Sequence, residues 1–108
     1  LMADTFKKLY NGTLGTSSAT LYTVPSDTIT VVTEIIICNR NSSGNPTYVT
    51  LTFDSTNVIY QKTVVGKDTI VIKTNTILEA SDIIAGLAET ATSIDVCISG
   101  VEMTWVVE

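Results

Sequence analysis

The chain has 108 residues and no histidine, so it lacks the side chain best suited to proton transfer near neutral pH. Ser-His-Asp and Cys-His nucleophile systems are excluded, and no other base stands out as a replacement. Cysteine is scarce, with only Cys38 and Cys97. Two Cys and no His cannot supply the ligand set of a structural zinc site. Basic residues number 6 against 11 acidic ones, a net charge of −5 with a pI near 4.4. Lys7-Lys8 is the only basic pair; Arg40, Lys62, Lys67 and Lys73 stand apart. Counterion release needs clustered cations, so nucleic acid is not expected as a direct partner. No apolar run approaches the roughly 20 residues of a membrane span, and no membrane insertion is expected. The basic-then-apolar pattern of a signal peptide is also missing. Leu1 reads as a residue added ahead of a natural start at Met2, and synthesis in a cytoplasm is expected.

Other chemistry is equally thin. Asp54, Asp68, Glu79, Asp82, Glu89 and Asp95 could in principle pair as glycosidase carboxylates. Most sit in turn signals, where acidic side chains serve local hydrogen bonding. Gly12-Thr13-Leu14-Gly15 has neither the Lys nor the helix of a phosphate loop. No Asp-x-Asp-x-Asp spacing suggests calcium. No enzyme activity, cofactor or metal is expected. The two sequons, at Asn11 and Asn41, carry no weight without export. Aromatics total seven; Tyr48 and Tyr60, on adjacent expected strands, suit cross-strand pairing better than sugar stacking.

What the chain does have is 19 Thr, 12 Val and 12 Ile. These side chains lose χ1 freedom in a helix and pack well on a pleated surface. No helical period competes, so the expected fold is all-β. The length fits one domain, 1–108, with one core. Turn signals at regular intervals imply an antiparallel β-sandwich, jelly-roll-like or immunoglobulin-like. Eight strands are expected near 5–11, 19–24, 28–39, 47–54, 57–65, 68–74, 82–89 and 93–106. The polar loop Asn39 to Pro46 is expected to be a mobile tip.

Alternation assigns the faces. Val49, Leu51 and Phe53 should point inward from a half-buried strand. Thr30, Val32 and Glu34 oppose Ile29, Val31, Thr33 and Ile35, and from Ile35 to Cys38 both faces become apolar. A strand apolar on both faces is expected to be central and to meet another subunit; Val32, Ile36 and Cys38 are the candidate interface residues. In the last strand Ile94, Val96 and Ile98 share one parity, then Val101, Met103 and Trp105 take the other. A change of face at a glycine predicts a β-bulge at Ser99-Gly100. Cys97 then faces away from the core. Both cysteines are expected to be free thiols, against the alternative of an inter-sheet bridge. A hydrophobic fraction of 44% and mean hydropathy of +0.34 exceed what a small sandwich interior absorbs, which points to a homo-oligomer.

Four segments carry a resemblance. They are Met2-Ala3-Asp4-Thr5-Phe6-Lys7-Lys8-Leu9-Tyr10, Ala19-Thr20-Leu21-Tyr22-Thr23-Val24-Pro25, Ile35-Ile36-Ile37-Cys38-Asn39 and Leu78-Glu79-Ala80-Ser81-Asp82-Ile83-Ile84. With the closing Ile98-Ser99-Gly100-Val101-Glu102, the layout from Phe6 to Glu102 resembles small virion proteins of tailed bacteriophages and prophages. Members often have Gly or Ala after the Val-Pro, where this chain has Ser26-Asp27. The resemblance implies a β-sandwich that assembles on a capsid or tail, a virion location, and other virion proteins as partners. A trimer is favoured by analogy to virion architecture. The rival class is a cell-surface adhesin or carbohydrate-binding module.

Overall fold

The structure is a computed structural model that describes residues 1–106. Eight strands follow in order: β1 (Met2–Thr13), β2 (Ala19–Thr23), β3 (Thr28–Asn39), β4 (Thr47–Phe53), β5 (Thr56–Val64), β6 (Thr69–Leu78), β7 (Ile83–Ala88) and β8 (Ile94–Trp105). They form two antiparallel four-stranded sheets, β1-β8-β3-β6 and β2-β7-β4-β5. The chain pairs from its ends inward: β1 with β8, β2 with β7, β3 with β6 and β4 with β5. Such a pattern is one long hairpin folded around the β4–β5 turn and wrapped over itself, the jelly-roll arrangement. The immunoglobulin alternative falls because β1 and β2 lie in different sheets, whereas immunoglobulin strands A and B share one. At the fold point Asp54 and Ser55 have φ of 49° and 68°, the paired positive values of a two-residue type I′ turn.

Between the sheets lies a solid aliphatic core, with Ile37, Leu51, Ile84 and Ile98 fully buried. Val49, Leu51 and Phe53 of β4 point inward as the alternation requires. Strand β3 is central in its sheet. Two strands run longer than their composition suggests. Strand β6 continues through Thr76 and Ile77, which pair with Val32 and Val31. Strand β1 begins at Met2 and runs through the Asn11-Gly12 turn signal, pairing those residues with Cys97 and Val96. Both are edge strands, and each mixes polar and apolar residues on both faces, which hides the hydrophobic period.

The expected bulge is corrected. Strand β8 keeps one inward parity from Ile94 through Gly100 to Glu102, so Val101, Met103 and Trp105 face outward. The extra residues lie in its neighbours at the same level. Leu9 interrupts the β1 register between Lys8 and Tyr10, and Thr33 interrupts that of β3 between Val32 and Glu34. Gly100 is there for close approach: a Cβ would collide with the Val31 carbonyl oxygen and come within 2.8 Å of Leu9 Cδ1. The sheet bends where its neighbours carry the surplus, and β8 supplies the bare backbone.

The loop after Asn39 is also unlike the free tip expected. Asn39 is fully buried. Its amide donates to the carbonyl oxygens of Val64 (2.8 Å) and Asn45 (3.2 Å). Its Oδ1 accepts from Asn41 N (3.0 Å) and Ser93 Oγ (2.7 Å). Gly66 N donates to Gly44 O at 3.3 Å, and a Cβ on Gly66 would lie 2.5 Å from Gly44 Cα. The loop is packed down on the β5–β6 turn.

Candidate interaction surface

The outer faces of the two sheets differ sharply. On β2-β7-β4-β5 one row is small or hydroxyl-bearing, Thr20 pairing with Ala85 and Ala85 with Thr52, and the exposed apolar residues Val58 and Ile83 stand apart on β5 and β7. On β1-β8-β3-β6 the register lines up apolar side chains across the whole sheet. Phe6 pairs with Val101, Val101 with Val31, and Val31 with Ile77. Phe6 is 89% exposed and Ile77 66%. Toward one end Met103 and Ile29 form the next row and Trp105 the last, opposite Met2. Single exposed apolar residues need no explanation; a contiguous row of this kind does.

A polar row borders it. Lys8 pairs with Ser99, Ser99 with Glu34, and Glu34 with Lys73; Lys73 and Glu34 make an ion pair. Beyond it Cys97, Ile36 and Val71 make a second, narrower apolar row. From the Met2 row to this one the face covers on the order of 500 Å² in plan, from strand spacing and rise. That area includes the polar row of Lys8, Ser99, Glu34 and Lys73, with the apolar rows on either side of it.

The sequence-based candidates fall in different places. Ile36 and Cys38 lie on this outer face, both half-buried. Val32 does not: it is fully buried in the core. The Thr33 bulge shifts the parity of β3, so Val32 and Ile36 lie on opposite faces although they are four residues apart. Ser99 is on the outer face, and Gly100 points inward. Alternation assigns no face to Phe6 or Ile77, and the expected change of parity in β8 turns Trp105 inward, whereas all three are exposed. Cys38 and Cys97 are unpaired thiols, both half-buried.

Two other features have polar chemistry. At the β1–β2 end, Glu102 of β8 is buried and accepts hydrogen bonds from Tyr22 Oη of the opposite sheet and from Lys7 Nζ (3.1 Å). Tyr22 Oη also bonds Thr30 Oγ1 at 2.8 Å. Burial, then the hydrogen bond to Glu102, pushes the Tyr22 phenol up to about 12. This is an inter-sheet tie. At the opposite edge β5 and β6 leave a groove of about 750 Å³, lined by Val58, Tyr60, Gln61, Lys62, Ile70 and Ile72 among others. Tyr60 lines that groove and Tyr48 does not. Among the described residues no group of His, Cys, Asp and Glu could hold a metal ion. No helix among them is long and apolar enough to cross a membrane.

No protein-family model matches the chain, and no curated protein does. Among solved structures, the acidic stable capsid of the Helicobacter pylori bacteriophage KHP30 aligns with a TM-score of 0.44 at 14% identity, over 95% of this chain and 86% of that one.

Proposed function

We propose that this protein is a non-enzymatic structural component of a tailed-phage or prophage particle, acting in capsid decoration or as a tail or baseplate accessory. It assembles in the host cytoplasm, with copies of itself and with other virion proteins, and its location is the virion. The observation that carries this reading is the exposed apolar row Phe6, Val101, Val31 and Ile77, four strands wide. The core between the sheets is aliphatic, and the apolar row lies on the outer surface. A β surface with apolar side chains in register across four strands suits assembly with other protein surfaces.

The test is the composition of purified particles. Peptides of this chain should co-sediment with intact particles at a fixed ratio to the major capsid protein. Particles that lack the chain altogether would overturn the proposal. The second reading, an adhesin or carbohydrate-binding module, is favoured by the exposed Tyr60 in the β5–β6 groove, since sugars stack on such rings. Saccharide binding lost in Tyr60→Ala would favour it.

A further inference from the structure

We infer that the apolar face of β1-β8-β3-β6 is covered by a second copy of this chain, related by a two-fold axis that runs across the strands along the Phe6 row. The inference rests on the assembly reading above and specifies its partner and register.

The argument starts from charge. Asp4, Phe6 and Lys8 alternate on the outer side of β1, opposite Met103, Val101 and Ser99. Along a strand Asp4 and Lys8 are roughly 13 Å apart, too far to pair within one copy. Among the described residues the ion pairs are Lys7–Glu102, Arg40–Asp95 and Lys73–Glu34; neither Asp4 nor Lys8 takes part. The two charges are therefore of opposite sign, unpartnered, and equally spaced on either side of Phe6.

A two-fold contact is isologous, so each patch must complement itself. An axis along the Phe6 row lays every strand over its own copy in reverse. Phe6 then meets Phe6, Asp4 meets Lys8 of the second copy, and Lys8 meets Asp4. Sheets packed face to face sit about 10 Å apart, a gap that a Lys and an Asp side chain span together. The other in-plane axis, along the strands, lays β1 over β6 and sets Lys8 against Lys73 of the second copy. That arrangement gives Lys8 no opposite charge, since the Lys73 it meets is already paired with Glu34. The patch is smaller than the roughly 800 Å² per partner of a standard stable interface, so a weak, reversible dimer is expected.

Sedimentation equilibrium of the whole chain, with Asp4→Lys, Lys8→Asp and the double exchange, tests the register. The parent should form a dimer that weakens with salt. Each single exchange should weaken it about tenfold, because both symmetric pairs become like-charged. The double exchange should restore the parent value. These positions are exposed, and unchanged thermal unfolding will show that the variants fold. Single exchanges without effect, a double exchange that fails to restore, or a trimer overturn the inference. Phe6→Glu separates this failure from that of the surface itself. If Phe6→Glu dissociates the assembly while the exchanges do nothing, the face is right and the two-fold register wrong. A parent that stays monomeric across the micromolar range removes both the register and self-assembly through this face.

Discussion

At Asn39 both side-chain polar atoms are satisfied by the β3–β4 loop, the end of β5 and the β7–β8 loop, and its backbone N–H and carbonyl bond Asp68 and Lys67 as well. Removing the amide strands buried partners, which costs more than the bonds themselves contribute. Asn39→Ala should lose about 2–4 kcal/mol in chemical denaturation. Gly100 is a second position set by its surroundings. Any Cβ there meets the Val31 carbonyl and Leu9, and backbone cannot yield as a flexible side chain can. Gly100→Ala should cost about 1–3 kcal/mol, the usual range for overpacking. Gly15, with nothing near its Cβ position, is the fitting control, and Gly15→Ala should be close to neutral. Gly86 would be a poor control, because a Cβ there lies 2.5 Å from Leu51 Cδ2.

Among the elements, β2 is short and held to the opposite sheet by Tyr22. Its phenol is raised from 10.0 to about 12 by burial and by Glu102. A raised acid is harder to ionise in the fold than in the unfolded chain. Below the ordinary value both states are neutral and the contribution is complete. As pH rises from 10 toward 12 the unfolded chain ionises first, and stability falls. Urea midpoints should drop across that window in the parent and drop less in Tyr22→Phe. Strands β3 and β8 carry the two thiols on the outer face. No bridge joins them, so the melting temperature should not change with dithiothreitol; a disulfide closing so long a loop would contribute about 2–4 kcal/mol and reveal itself.

Across the two sheets, among the described residues, only the β4–β5 hairpin is local; every other pairing joins strands distant in sequence. Folding dominated by such pairings takes milliseconds to seconds, and an exposed apolar sheet face is a hazard while it proceeds. Because Phe6 and Ile77 project into solvent, replacing both with Ser and Thr should leave monomer stability within about 0.5 kcal/mol. Light scattering should nonetheless show a larger monomer fraction than in the parent. A large loss of stability would mean that this face belongs to the core of one chain.

The sequence by itself determined the eight strands, because β-branched runs between turn residues leave the backbone few alternatives. It also determined which side of β4 faces inward and that β3 is central, since alternation and two-sided apolarity are local properties. Three things only the tertiary structure decided. The choice between jelly roll and immunoglobulin topology depends on which distant strands pair, and no local pattern encodes that. The parity of β3 around Val32 depends on the surplus residue Thr33, and Val101, Met103 and Trp105 face outward because β8 runs through Gly100 with no surplus residue of its own; a bulge in one strand is read only against its neighbours. The apolar row from Phe6 to Ile77 exists because four separate strands come into register; each contributes one side chain, and no stretch of sequence contains the row.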